Sequence, residues 1–469
     1  MDATVITRNE DVSDFRIGYF GDERLLKTGA LLFKRMASRM SICIKKLAGN
    51  RALQVAFNRF LSNENARMEE IEKSLADKTN VNCKKKKHVL CIQDTVEVNY
   101  SKQPEKKAKF GSNRNKNGEE VRGFLAHPGL ILDAQNSDVL GLSSIKVWTR
   151  GEGELLDKKK RPIEDKESYK WLETATAAKK NITNAELITV IGDRESDIYE
   201  LFDRIPDDKT HLIIRATHNR ELSNGIRIDE HMREILNCGR YTIELPAITG
   251  VRKSRKAEIE IKHSVIEIIK PSESKSTVFN KTVKLTCVEA REISSPPENE
   301  KPIFWRLLTT HEVSNFSEAK QIILWYSWRW NIEQIFRTLK KKGLNFEECS
   351  IQEPEELLKL FLLAIAAAVK VLCLVNARDG ATKRPASDIF SQNELTVLAA
   401  VLIKVNGKTK KQQNPYVRNS LSWASWIIAR LGAWNGYDCE RPPGPITMYD
   451  GLDIFSSYVE GWLLAQQKI

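Results

Sequence analysis

The sequence lacks the cysteine and histidine patterns that would point to a disulfide framework or a zinc site. Its eight cysteines are scattered, no two of them form a CxxC pair, and the seven histidines do not lie at zinc-ligand spacing from them. Disulfide-stabilised folds and zinc-binding folds are thereby disfavoured. We expect free thiols in a reducing compartment.

Long apolar runs are also missing. The most apolar segment, Leu360 to Val369, is short and is bounded by Lys359 and Lys370. This length is typical of a buried helix rather than of a membrane span. No secretory signal pattern opens the sequence. We therefore expect a cytoplasmic protein that does not associate with a membrane.

Positive charge is in excess. The chain has 469 residues, of which 41% are hydrophobic, and a formal net charge of +12. The length suggests about three domains. Basic runs such as Lys84–Lys87 and Lys340–Lys342 concentrate the charge. A polyanion is the partner that such a surface attracts, so we expect nucleic acid.

Three regions differ in their sequence patterns. Residues 1–80 carry apolar residues at helical spacing among many cations, which indicates a helical DNA-binding domain or a basic packing module. Residues 81–350 mix strands and helices and include a β-rich stretch at about 208–310, interpreted as an insertion. Residues 351–469 are helical again. Their last helix is amphipathic and is expected either to pack on the same chain or to form a dimer contact.

Two apolar strands deliver an acidic residue at their ends. The first runs from His88 to Asp94, and the second runs from Leu187 to Asp193. Ligands of open sheets bind beyond the ends of strands, so the two aspartates are candidate ligands. Taken singly, each also fits a strand terminator or a helix cap.

The order of elements around these strands predicts the fold. Between them lie a predicted hairpin, Gly123–Leu132 with Val139–Trp148, and a predicted helix, Ser168–Lys180. This order is what a ribonuclease-H-like mixed sheet requires. We therefore predict an α/β protein with a ribonuclease-H-like catalytic core and a β-rich insertion, flanked by N-terminal and C-terminal helical domains.

A third acid lies on a predicted helix from residue 325 to residue 340. Helical geometry puts one acid, three cations and a tyrosine within an arc roughly 80° wide. These residues are Tyr326, Arg329, Glu333, Arg337 and Lys340. The arrangement suits a metal-binding carboxylate beside a phosphate backbone. A solvated face with helix-spaced ion pairs gives the same pattern.

The chain resembles DDE transposases of the insertion-sequence-four class. Four residues of the predicted helix fit their YREK signature, Y-x2-R-x3-E-x6-K: Tyr326, Arg329, Glu333 and Lys340. Further blocks match in order along nearly the whole chain, including VAFNRFLSN, IQDTVEVNYS, GDRESDIYELF, HLIIRATHNR and WRLLTT. One departure is visible, because Val96 follows Asp94 and Thr95 where the family has a second threonine.

The resemblance implies a catalytic site made of Asp94, Asp193 and Glu333. These three carboxylates would hold two Mg²⁺ ions, with Mn²⁺ as a possible substitute, because hard cations prefer carboxylate oxygen. The implied reaction is cut-and-paste transposition, in which transposon ends are cleaved through a hairpin and joined to target DNA. The implied assembly is a homodimer that bridges two inverted-repeat ends, and the implied setting is the bacterial nucleoid.

The resemblance also implies DNA contacts. Arg329 and Lys340 would bind phosphates near the cut, with Tyr326 and the neighbouring Arg337, and Arg215 matches a further phosphate contact. Trp305 would stack on a flipped base and Trp330 would act as a wedge. A core tryptophan and a surface strand arginine are the alternatives for Trp305 and Arg215.

Two rival functions stay open at this point. A stand-alone metal-dependent endonuclease of the same fold would need the same acids and cations. A catalytically silent DNA-binding relative would need only the cations, and the presence of all three acids argues against it.

Overall fold

The computed structural model describes residues 16–100, 110, 113–114, 120–149, 161–245, 254–272, 280–298, 300–340, 343–437 and 440–466. Ten strands of this described part form one mixed sheet. Five of them run in the order β6-β5-β1-β7-β8 and make up its core. Their bounds are β1 His88–Gln93, β5 Gly123–Asp133, β6 Val139–Trp148, β7 Leu187–Gly192 and β8 Thr210–Arg215.

The pairing directions identify the fold of this core. Strand β5 is antiparallel to both β1 and β6, whereas β7 is parallel to β1 and β8 is parallel to β7. An antiparallel meander followed by two parallel strands, in this order, is the ribonuclease-H-like arrangement. The predicted fold class is confirmed. The predicted hairpin also forms, with a register shift on each side of the two residues Leu130 and Ile131.

The first strand of the core is interrupted. Strand β1 pairs with Gly129–Asp133 of β5, and strand β2 (Val96–Asn99) pairs with Gly123–Ala126 of the same strand. The two residues between β1 and β2 are Asp94 and Thr95. Asp94 therefore lies at the end of the parallel strand pair, outside the paired residues of both strands.

The sheet continues beyond β8 through four antiparallel strands. Strand β8, which the sequence analysis assigned to the insertion, is the fifth core strand, and it pairs directly with β12. The outer strands follow in the order β12-β11-β10-β9, so the inserted strands extend the core sheet. Their bounds are β9 Gly239–Leu245, β10 Arg255–Ile269, β11 Thr282–Glu292 and β12 Phe304–Thr309, with a separate pair formed by β3 Asn113–Arg114 and β4 Glu120–Val121.

Helices precede, cover and follow the sheet. Those before it are α1 Glu23–Arg39, α2 Ile44–Ala48, α3 Arg51–Ser62 and α4 Met68–Asn82. Those interleaved with its strands or directly after it are α5 Tyr169–Asn181, α6 Tyr199–Arg204, α7 Ile228–Glu234, α8 Phe316–Ser327 and α9 Trp330–Leu339. The last are α10 Pro354–Ala377, α11 Gln392–Val405, α12 Leu421–Leu431 and α13 Pro445–Gln466.

Helix α10 is the apolar centre of the helical packing. By length and composition it could cross a membrane, but 78% of its apolar window is buried inside the protein. Its Lys359 is fully buried and donates to the carbonyl oxygens of Leu61 and Asn63, at 3.1 and 2.8 Å. A cation at the C-terminus of α3 satisfies carbonyls that the helix leaves unpaired. The contact ties the first helices of the chain to α10.

Candidate active site

Adjacent parallel strands bring the two aspartates to one edge of the sheet. The register pairs Ile92 of β1 with Ile191 of β7, and Asp94 and Asp193 each lie two residues further along their strand. Neighbouring strands are about 4.8 Å apart, so the two acids emerge side by side. The apolar sequences of β1 and β7 achieve this, because both strands are buried on both faces of the sheet.

The helix predicted from residue 325 to residue 340 is broken, which corrects the sequence analysis. Helix α8 ends at Ser327 and α9 begins at Trp330. Between them the backbone tightens, because the amide of Arg329 donates to the carbonyl of Tyr326 at 3.0 Å and the amide of Asn331 donates to that of Trp328, also at 3.0 Å. Each bond spans three residues, as in a 3₁₀ turn. Tyr326 and Glu333 therefore lie on different helices and do not share one helical face.

The turn places Arg329 between two of the three acids. One guanidinium nitrogen, Nη1, donates to Asp94 Oδ2 at 3.0 Å, and the other, Nη2, donates to Glu333 Oε1 at 2.7 Å. The side chains of Arg329, Asp94 and Glu333 are 12%, 20% and 29% exposed. Arg329 thus links Asp94, at the end of a strand, to Glu333 on helix α9. Asp94 and Arg329 are 235 residues apart in the sequence.

The electrostatics of Asp94 reflect this crowding. Burial raises the pKa of the Asp94 carboxyl to about 6, while the Thr95 amide and Arg329 lower it and the negative charges of Asp193 and Glu333 raise it. The amide of Thr95 donates to Asp94 Oδ1 at 2.8 Å. Both of the other predicted acids therefore act electrostatically on Asp94, and an additional cation would favour the ionised form of Asp94.

Asp193 is held separately from the ion pairs of Arg329. Its Oδ1 accepts from the amide of Glu195 at 2.8 Å, which caps the short 3₁₀ turn that follows β7. Within the described residues, no three acidic, histidine or cysteine side chains are grouped closely enough to hold a metal ion. Carboxylate oxygens are nevertheless the donors that suit a divalent cation. Two of these oxygens, one on Asp94 and one on Glu333, are bound to Arg329.

Aromatic and cationic side chains form one wall of the site. Tyr326 is 3% exposed and meets the ring of Trp305 edge to face, with centroids 5.4 Å apart. Burial raises the pKa of Tyr326, and the nearby guanidinium groups of Arg329 and Arg215 partly offset that rise. Trp330 is 53% exposed, and the centre of its ring lies 5.8 Å from the Arg329 guanidinium carbon. Most of the predicted DNA-contacting residues thus adjoin Arg329 directly or through Tyr326.

Two predicted residues lie further along α9. Arg337 is exposed, four residues beyond Glu333. Lys340 follows the end of the helix, where its Nζ is 3.9 Å from Glu347 Oε1. Two cations therefore follow Glu333, one in the last turn of α9 and one directly after the helix.

Sequence reasoning missed a buried support beneath Asp94. Thr95 Oγ1 lies 2.9 Å from His127 Nδ1, and the side-chain amide nitrogen of Gln93 donates to His127 Nε2 at 3.2 Å. Burial lowers the pKa of His127 well below its ordinary value, so its ring is neutral. A histidine inside the otherwise apolar strand β5 was the available signal. The network fixes the residues on both sides of Asp94.

A comparison with known protein families gives a match over part of the chain. Residues 167–369 match the family model described as a transposase DDE domain. The matched segment runs from the start of α5 through β7, the outer strands, α8 and α9 into α10, and it contains Asp193 and Glu333. This part of the chain is thus similar to DDE transposases, the class of enzyme that the sequence patterns also indicate.

Solved structures with a distant likeness include that of a transposase. It is described as a cryo-EM structure of a piggyBac transposase synaptic complex with hairpin DNA. The two proteins are 10% identical, and the comparison covers 98% of this chain and 77% of that one with a TM-score of 0.36.

Proposed function

We propose that this protein is a cut-and-paste DNA transposase of the insertion-sequence-four class, most like the transposase of transposon five. The observation that carries the proposal is the convergence of Asp94 and Glu333 on Arg329, with Asp193 at the neighbouring strand end. These are the acids and the arginine that the YREK resemblance and the strand-end pattern select. The family match over residues 167–369 supports the broader assignment to DDE transposases.

The residues present suit a divalent cation site. Asp94, Asp193 and Glu333 would hold Mg²⁺, with Mn²⁺ as a substitute. When bound, two such ions activate an attacking oxygen and stabilise the leaving one. The raised pKa of Asp94 means that this carboxyl is partly protonated near pH 6 without a further cation. The acids hold the ions; the surrounding cations orient the DNA.

The proposed chemistry consists of phosphodiester exchanges. Water attacks the phosphorus at the transposon end, one P–O bond forms and one breaks, and a 3′-hydroxyl is released. That hydroxyl attacks the opposite strand to form a hairpin and frees the flanking DNA. A second water reopens the hairpin, and the released 3′-hydroxyl then attacks target DNA. Each step exchanges one P–O bond for another, so no oxidant or energy source is required.

The wall of the site would position the DNA. Arg329 and Arg215 lie beside the Tyr326 hydroxyl, so a phosphate placed there would meet two guanidinium groups. Lys340 and Arg337 would contact phosphates further along the backbone. Trp305 packs against Tyr326 and would stack on an unpaired base, and the exposed Trp330 would act as the wedge.

The domain division and assembly are part of the proposal. Residues 1–80 would bind the transposon ends, residues 81–350 would cut and join DNA, and residues 351–469 would form the contact of a homodimer in the synaptic complex. The protein would act in the bacterial cytoplasm, associated with the nucleoid.

A supercoiled donor plasmid carrying the two ends of the element tests this function. The proposal predicts an excised fragment and joined products in the presence of Mg²⁺, and neither with the Glu333→Gln variant. Cuts without joined products would identify a stand-alone endonuclease. Binding without any cleavage by the unaltered protein would identify a catalytically silent relative.

A further inference from the structure

Arg329 occupies one oxygen on each of two acids that would bind a divalent cation. Its guanidinium binds Asp94 Oδ2 and Glu333 Oε1, and the three side chains are mostly shielded from solvent. A carboxylate oxygen that accepts a charge-assisted bond from a guanidinium is poorly available to a metal ion. Two positive species in the same weakly solvated space also repel each other. Arg329 and a cation therefore compete for these two acids.

A DNA phosphate offers Arg329 an alternative partner. Arginine binds phosphate and carboxylate with the same planar fork of donors, so exchange between them keeps its hydrogen bonds satisfied. Arg215 lies beside the same Tyr326 hydroxyl as Arg329, which adds a second positive charge where a phosphate would arrive. The exposed ring of Trp330 also lies near the guanidinium, with its centre 5.8 Å from the guanidinium carbon. A phosphate at this wall would draw Arg329 away from the acids.

We propose that Arg329 is a positioning residue that couples DNA binding to divalent-cation binding by exchanging Asp94 and Glu333 for a DNA phosphate. Without DNA, Arg329 stands in for the cation and neutralises the two acids. With DNA, it binds the backbone and the acids are released to the metal. The inference rests on the proposed function, since it takes these acids as the metal ligands.

The coupling is reciprocal. If DNA strengthens cation binding by a given factor, the cation strengthens DNA binding by the same factor. Couplings of this kind are typically about 5- to 150-fold. Such a device would keep the metal site weak on the free protein and complete it only on DNA, which limits cleavage away from a bound end.

Mn²⁺ binding to the full-length protein tests the coupling without using activity. Free Mn²⁺ is measured by electron paramagnetic resonance, with and without a DNA duplex carrying one end of the element, and binding to the duplex alone is subtracted. We expect the duplex to tighten Mn²⁺ binding by at least about fivefold. In Arg329→Gln we expect tighter Mn²⁺ binding than in the unaltered protein before DNA is added, and little further change with DNA.

Two further variants provide a control and a graded comparison. Lys284→Gln removes an exposed cation from β11, which has no role in the proposed site, and should retain the effect of DNA on Mn²⁺ affinity. Arg329→Lys keeps the charge but lacks the fork that reaches both acids, so its Mn²⁺ affinity without DNA should lie between those of the unaltered protein and Arg329→Gln. Thermal melting curves confirm that each variant is folded.

The possible outcomes distinguish a failure of the proposed coupling from a failure of the proposed metal site. If Asp94→Asn and Glu333→Gln lose Mn²⁺ but Arg329→Gln and Arg329→Lys show no gain without DNA, the coupling is wrong and the metal site stands. If neither acid variant changes Mn²⁺ binding, the proposed metal site itself is wrong.

Discussion

Replacing Asp94 by asparagine should stabilise the folded protein at neutral pH. Burial and two neighbouring acids raise the pKa of this carboxyl from 3.8 to about 6. That rise corresponds to about 3 kcal/mol of destabilisation when the group is ionised. The side chain is 20% exposed, and the variant loses its charged contact with Arg329. We therefore expect a net gain in unfolding free energy of about 1–2 kcal/mol.

The pH dependence identifies the cause. In the folded state Asp94 stays protonated up to about pH 6, whereas in the unfolded chain it ionises near its ordinary value of 3.8. The folded state binds more protons between these values, so this group lowers stability as pH rises from about 4 to 6. The advantage of Asp94→Asn should therefore be small at pH 4 and complete at pH 7, and the pH profile carries the test.

Thermal melting between pH 4 and pH 7.5 measures the effect. For a chain of this size, a gain of 1–2 kcal/mol raises the melting temperature by roughly 1–3 °C. Asp208→Asn, at an exposed aspartate, is the matched control and should show no such pH-dependent gain. The crowding of acids around Asp94 predicts that the stability advantage of Asp94→Asn over the unaltered protein grows between pH 4 and pH 7. An advantage that stayed the same or became smaller over that range would refute it.

Three further predictions concern catalysis and stability. Glu333→Gln should bind transposon ends with nearly unchanged affinity and lose cleavage; equal losses in a gel shift and in a cleavage assay would count against its role as a metal ligand. Trp305→Ala should spare the first nick and slow hairpin formation, and an equal slowing of both steps would exclude base stacking. Burial lowers the pKa of His88 to about 4 and of His311 to about 3, so both stay neutral when folded while the unfolded chain takes up protons below about pH 6.5. Stability should thus fall as pH drops from about 6.5 toward 4, and His311→Gln should fall less steeply in melting curves; a parallel fall would contradict this.

The strand ends were predictable from local sequence. Continuous apolar runs that stop at Asp94 and Asp193 indicate buried parallel strands, and the sheet register places both residues at one edge. The hairpin and helix between them fix the order of the core strands. Local pattern suffices there because each strand is short, apolar and bounded by polar residues.

The break between α8 and α9 was not predictable in the same way. No proline or glycine interrupts the sequence from Trp325 to Lys340, so helical periodicity continues across it. The turn depends on distant partners, including the side chain of Asn331, which donates to the carbonyl of Trp328 and accepts from Asn376 on α10. Tertiary contacts of this kind override helix propensity.

Helical periodicity also could not predict that Arg329 bridges two acids. A helical wheel places it beside Glu333 but says nothing about Asp94, which comes from a strand 235 residues earlier. The extension of the core sheet by the inserted strands has the same origin, because the pairing of β8 with β12 joins segments about 90 residues apart. Such long-range pairings are set by the whole fold.

Iron-mediated cleavage of the polypeptide tests the central claim most directly. Fe²⁺ bound in place of Mg²⁺ reduces added hydrogen peroxide to hydroxide and a hydroxyl radical, and ascorbate returns the resulting Fe³⁺ to Fe²⁺. The radicals cut the chain near the ligands of the iron, and the experiment is run on the full-length protein with bound DNA. We predict cuts close to Asp94, Asp193 and Glu333 together, all suppressed by excess Mg²⁺. Cuts confined to other parts of the chain, or cuts near only one of the three acids, would contradict a shared cation site.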